Sequence, residues 1–223
     1  MSERSGAFSI SLDPSEGNAE SVRGEPQWLE LLVTGLTFDL AGVAPGPSAG
    51  SPPRGRGVAH EDWVYASEAV TIHPGPHLAS GAGMVPVVRM LASLAATLSD
   101  LEGVAAVVWH PARCWSAPEV FRDSVTRWVE GGVFPGLTLA TLSLSPDRGL
   151  HSEGLALFTG QELRLEPEIV QEPAEAVKLA VRLLDFLVER GRVDAPETLT
   201  GPGRQPLRIE PSENGRFVRI CRG

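Results

Sequence analysis

The chain has 223 residues, a formal net charge of −9 and a hydrophobic content of 42%. That apolar fraction is enough for a packed core and excludes wholesale disorder, while the negative charge repels phosphate backbones and argues against a nucleic-acid partner. The two cysteines, Cys114 and Cys221, form no C-x-x-C pair, so neither a disulfide framework nor a zinc ribbon is expected.

Along the chain, Phe8, Ile10 and Leu12 alternate with serines and predict a first strand, ended by Asp13-Pro14. Residues 28–40 form a longer β-type run in which Gly35 marks a bulge or bend. Residues 41–58 read as a Pro/Gly/Ser loop, made locally basic by Arg54 and Arg56. Strand character resumes over 63–72. Met84, Val87, Val88, Leu91, Leu94, Ala95 and Leu98 then share one face of a helix closed by Gly103.

A strand over 104–109 breaks at His110-Pro111, and a second helix follows, opened by a capping box of Ser116 and Glu119, with Phe121, Val125 and Trp128 as its apolar stripe. Residues 137–144 predict a strand, and 155–158 with 163–165 predict a hairpin. In the last helix Val177, Ala180, Val181, Leu184, Leu187 and Val188 face inward. A final hairpin joins 207–210 to 217–221 around Asn214-Gly215.

The expected class is α+β: a mixed, mostly antiparallel sheet with three main helices packed on it, in which 104–144 forms one βαβ-like unit. Residues 1–83 read as a strand-rich extension of the same fold and 84–223 as the core domain.

Chemistry concentrates in the 104–123 stretch. His110 and Cys114 stand four apart beside Arg113, as a nucleophile and base or as two metal ligands would. A thiol just before a helix is also acidified by the dipole. Spacing alone supplies neither the third, orienting group nor an oxyanion site, and a small buried hydrophobe is the more ordinary role for such a cysteine. Trp109 and Trp115 flank the turn and, with Arg113, are the binding candidates, because tryptophan is enriched at binding hot spots.

No metal site is predicted. His73 and His77 are separated by Pro-Gly-Pro, which forbids the one-turn spacing of a helical zinc pair. No cofactor is predicted either, since the glycines at 81 and 83 complete no G-x-G-x-x-G. Glu166, Glu168, Glu172 and Glu175 precede a helix and read as complements to its dipole.

The order of an amphipathic helix, a strand ending V-V-W-H-P-A, a helix opening S-A-P-E-V-F-R-D, a later amphipathic helix and an E-T-L-T-G turn at 197–201 resembles the bacterial domain-of-unknown-function 4261 family, over roughly residues 84–203. That family carries a Phe-Arg pair on the second helix, here Phe121-Arg122, and a late Gly-x-Thr-Ile-Gly turn, from which this chain departs at Glu197. The resemblance implies a small bacterial α+β domain and transfers no catalytic residue.

The N-terminus lacks the basic start and apolar core of a signal peptide, and no apolar run approaches the ~18 residues of a membrane span, so a cytoplasmic location without membrane contact is expected. The expected function is a non-enzymatic protein-binding or accessory module, immunity-type or regulatory, with a protein partner. The alternatives are a small hydrolase or transferase using His110 and Cys114, and a homo-oligomer paired through an edge strand at 8–12 or 217–221.

Overall fold

The computed structural model describes residues 8–12, 28–43, 54–56 and 68–223. The expectations for 13–27, most of the 41–58 loop, residues 63–67 and His60 lie outside them. Its regular elements, in chain order, are β1 (Ser9–Leu12), β2 (Trp28–Val33), β3 (Leu36–Ala41), β4 (Arg54–Arg56), β5 (Thr71–Pro74), α1 (Val85–Leu98), β6 (Val107–Trp109), β7 (Cys114–Ser116), α2 (Pro118–Val129), β8 (Thr141–Leu144), β9 (Leu150–Glu153), α3 (Ala156–Thr159), β10 (Glu162–Leu165), α4 (Pro173–Arg190), β11 (Glu197–Thr200), β12 (Pro206–Pro211) and β13 (Phe217–Arg222). The class is α+β with mostly antiparallel pairing. The strands form three sheets instead of one, in the orders β1-β2-β3-β5, β11-β12-β13-β10-β9-β8 and β4-β7-β6.

The described residues group into two compact units. The first holds β1, β2, β3 and β5 together with α1 and α2. This grouping runs across the 83/84 boundary read from sequence. The 28–40 run is a hairpin, not one bent strand: Val33 pairs with Leu36, and Thr34 and Gly35 between them both have left-handed φ, 48° and 84°. Two consecutive positive φ values make the tight turn whose twist matches the flanking strands. Leu31, Val33, Phe38 and Leu40 then share one face with Val87 and Leu94 of α1, and these six form the buried cluster of the unit. Met84, expected on that stripe, is exposed because the helix starts one residue later. Arg89 of α1 lies over the Trp128 ring of α2 at 4.9 Å and donates to the Trp128 carbonyl, which fixes the two helices to each other. Arg122 of the Phe-Arg pair is engaged by Asp100, while Phe121 is fully buried.

The expected capping box is displaced. The Phe121 N–H bonds to the Ala117 carbonyl, so Ala117 stands at the cap and Ser116 is a buried residue of β7. Pro118, which has no N–H to satisfy, opens the helix instead.

The second unit is built on the six-stranded sheet, with α3, α4 and the 108–115 segment. The final hairpin forms as expected, with β12 and β13 antiparallel from Leu207↔Arg222 to Pro211↔Val218. The hairpin expected over 155–165 does not. Residues 156–159 are a helical turn, α3, and the strand preceding it is β9, paired with β8 through a turn at 145–149. The Glu162 carboxylate explains the difference: it accepts the N–H groups of Gly154, Leu155 and Ala156 at 2.8–3.1 Å, satisfying donors that the first turn of a helix leaves unpaired. The expected βαβ unit over 104–144 is also absent, because β6 and β8 belong to different sheets. The parallel pair of this unit is β10 with β13.

Alternation along these strands sends Leu163, Leu165, Leu207, Ile209, Val218 and Ile220 into the core. The helix α4 packs over β10 and buries Ala176, Ala180, Leu183, Leu184 and Leu187; Val177, Val181 and Val188, expected inward, are only half-buried at the margins of its stripe. Gln161, the largest buried polar side chain among the described residues, bonds Val193 twice: its amide donates to the Val193 carbonyl at 3.1 Å and accepts the Val193 N–H at 2.9 Å. Replacement by an isosteric apolar residue leaves both backbone groups buried without partners. Gln161→Leu is therefore expected to lower the unfolding free energy by about 2–4 kcal/mol, read by urea denaturation of the purified chain.

Candidate functional site

The residues expected to carry function, 109–115, form a compact turn. The chain leaves β6, makes a 3₁₀ turn at His110–Ala112 and enters β7. Arg113 closes the turn in the left-handed region, φ 49°, with its N–H on the His110 carbonyl at 3.0 Å. Ala112 is completely buried; its carbonyl accepts the Thr141 hydroxyl at 3.1 Å. Gly154 lies against it so closely that a Cβ there would stand 2.8 Å from the Ala112 Cβ.

Trp109 and Trp115 are 6% and 4% exposed. They build core and form no exposed apolar patch, which removes the argument that made them binding residues. Cys114 is also buried, with its Sγ 3.5 Å from the Thr138 carbonyl, whereas the His110 side chain is exposed. The thiol and the imidazole thus occupy different environments. Arg113 is the one binding candidate of the turn that solvent reaches, its guanidinium 3.8 Å from Glu153. Among the described residues no group of three or more His, Cys, Asp or Glu side chains is placed to hold a metal ion.

A second constellation, missed in the sequence, lies on the face of the six-stranded sheet opposite its buried one. Strand register aligns Glu210, Arg219, Arg164, His151 and Ser143 in one row across five neighbouring strands. The charged members join into an alternating ladder. Arg208 Nε meets Glu210 at 2.7 Å, and Arg219 Nη1 meets the same carboxylate at 3.4 Å. Arg219 Nε and Arg164 Nε both donate to Glu166, at 2.5 and 3.3 Å, and Arg164 continues to Asp147. The Gly149 N–H, followed by Arg164, holds the Asp147 carboxyl below the usual carboxylate range. Glu166, read from sequence as a helix-dipole complement, is instead the buried centre of this ladder.

Beside the ladder is an open groove of about 400 Å³ lined by Arg164, Ser212, Glu213, Asn214, Phe217 and Arg219. Asn214 sits at the hairpin turn, where its side-chain oxygen accepts the Ser212 hydroxyl and the Arg216 N–H. The groove therefore offers an amide, a guanidinium edge and a partly exposed aromatic ring. The only sequence signal for it was the Asn-Gly turn.

One further polar contact has nucleophile–base spacing: Ser145 Oγ lies 2.9 Å from His151 Nδ1, with Arg164 Nη1 3.5 Å from the same hydroxyl. Among the described residues no carboxylate bonds the other ring nitrogen of His151, so the orienting member of a catalytic triad is not in place. The contact closes the β8–β9 turn.

Two outcomes follow from this geometry. In the native chain at neutral pH, iodoacetamide is expected to leave Cys114 unmodified and to label Cys221 only slowly, because burial pushes the Cys221 thiol up and keeps its thiolate scarce; peptide mass mapping reads both. Gly154→Ala is expected to cost roughly 2–4 kcal/mol by urea denaturation, combining a φ of 105° with overpacking against Ala112. No family model, curated protein or solved structure matches the chain.

Proposed function

We propose that this chain is a non-catalytic binding module, an accessory component of immunity or regulatory type, that meets a protein partner through the open face of its six-stranded sheet. One observation carries the proposal: that face presents an alternating ladder of charges, partly exposed around the buried Glu166, beside a groove with a partly exposed aromatic ring, a mixture of fixed polar contacts and apolar area that suits protein recognition. The candidate binding surface thereby moves from Trp109 and Trp115 to Arg208, Phe217 and Arg219, with Arg113 outside it.

The competing reading, a small hydrolase or transferase using His110 and Cys114, draws less support from the geometry. A nucleophile has to reach its substrate, and Cys114 is 4% exposed with its sulfur turned toward a backbone carbonyl. No helix among the described residues is long and apolar enough to cross a membrane. A cytoplasmic location and kinship with the bacterial family named above belong to the same proposal; Cys114 and Cys221 form no disulfide, which accords with a reducing compartment.

The test is affinity capture of the tagged full chain from its source cell under gentle lysis, followed by size-exclusion chromatography. A protein partner in fixed stoichiometry is the expected result. Elution of the chain alone, or only as copies of itself, overturns the proposal.

A further inference from the structure

We infer that β8, an outer strand of the six-stranded sheet, pairs antiparallel with β8 of a second copy of this chain, across a two-fold axis at Ser143. The inference goes beyond the binding-module reading and uses none of Arg208, Phe217 and Arg219.

The two edges of the sheet differ. At one edge, β11 carries Glu197, held by Arg190 at 2.8 Å, and lies between Pro196 and Pro202. Charge and proline are what keep an edge strand from pairing. At the other edge, β8 reads Thr-Leu-Ser-Leu, with neither. Residues 217–221, expected to be an edge, lie in β13 between β12 and β10.

The side chains of β8 are left uncovered by the helix layer. Leu144 pairs with Leu150 and Leu142 with Ser152, and both of those partners are buried on the core face. The helix α4 covers that face over β10, two strands away. Leu142 is consequently half-buried, and Leu144 is 58% exposed.

The backbone is open at the same two residues. The Ser145 N–H donates to the Gly149 carbonyl at 2.8 Å, and antiparallel pairs alternate between bonded and non-bonded. Ser143 therefore bonds His151. The N–H and C=O groups of Leu142 and Leu144 point to the open edge, where no described strand pairs.

Those groups select the occupant. Leu142-Ser143-Leu144 reads the same in both directions, so a copy centred on Ser143 sets each Leu142 opposite the partner's Leu144 as a bonded pair. A shift of two residues one way brings Pro146, which has no N–H, opposite Leu142. The same shift the other way brings the fully buried Ala140 opposite Leu144. In the centred register the leucines of both copies cover one another on the core face, and Ser143 meets its own copy on the other. Charge does not oppose this pairing. Asp147, in the turn after β8, is held by Arg164, and Glu153, opposite Thr141, faces Arg113 at 3.8 Å. Two copies of a chain with a net charge of −9 thus meet along an edge where charge is locally balanced.

The experiment is sedimentation equilibrium of the full chain from ~10 µM to ~1 mM, joined to a cross-linking comparison. An interface this small belongs to the weak class, so a dimer with a dissociation constant on the order of 100 µM is expected. Leu144→Lys adds a charge to the edge at an exposed position and is expected to weaken the dimer at least about tenfold. Two Cα atoms in a non-bonded antiparallel pair lie about 4.5 Å apart, within disulfide reach. In a Cys221→Ser background, Ser143→Cys is therefore expected to form an intermolecular disulfide under mild oxidation several times faster than Thr198→Cys, an exposed position on the opposite edge.

A chain that stays monomeric at ~1 mM overturns the inference. So does a dimer undiminished by Leu144→Lys, or a Ser143→Cys chain that cross-links no faster than the Thr198→Cys chain. Should Leu144→Lys lose its native circular dichroism, the cross-linking comparison decides. A dimer recovered from the source cell without another protein defeats the binding-module reading and leaves this inference intact.

Discussion

The side-by-side placement of β10 and β13 is the constraint on which the second unit depends. These strands are far apart in the chain and run parallel, Arg164 beside Arg219 and Leu165 beside Ile220. Parallel neighbours cannot be joined by a tight turn and require a crossover, here supplied by α4 followed by β11 and β12. The same register does two jobs. It merges the inward rows Leu163–Leu165 and Val218–Ile220 into one apolar surface under α4, and it stacks two arginines on the opposite face, where Glu166 bridges them. A slip of one residue would turn the leucines to solvent and the guanidiniums to the core, so burial of the apolar side enforces the geometry of the charged side.

The polar groups of this unit illustrate how burial is tolerated. Glu162 and Gln161 are adjacent, and each replaces a missing stretch of secondary structure. Glu162 takes the place of a preceding turn for the exposed amides of α3, and Gln161 takes the place of a neighbouring strand for Val193. Since an unsatisfied buried amide or carbonyl costs about 1–3 kcal/mol, these side chains are architectural despite being polar. The ion-pair ladder is different. Apart from the buried Glu166 its members are partly solvated, so the pairs that do not involve Glu166 add on the order of 1 kcal/mol or less each, and their effect is to orient the arginines more than to hold the fold.

The 109–115 turn shows why a chemically rich segment need not be a site. Its tryptophans, cysteine and Ala112 are buried, and His110, Pro111 and Arg113 are given to solvent. The glycine at 154 lets the turn seat against β8 and β9, and the left-handed Arg113 reverses the chain so that Cys114 and Trp115 point into the core.

What the sequence determined by itself was local: the α+β class, α1, α2 and α4 from apolar spacing near 3.6, and the last hairpin from Asn214-Gly215, because periodicity and turn chemistry act between residues close in the chain. The 155–158 segment has the apolar content of a strand yet forms a helical turn, whose leading N–H groups are accepted by the Glu162 carboxylate, a partner that local pattern does not reveal. Trp109 and Trp115 looked like binding residues because composition cannot tell a core tryptophan from an exposed one. The ladder of Arg208, Glu210, Arg219, Glu166, Arg164 and Asp147 was decided by tertiary structure alone, because its members come from four separate segments and meet only through strand register.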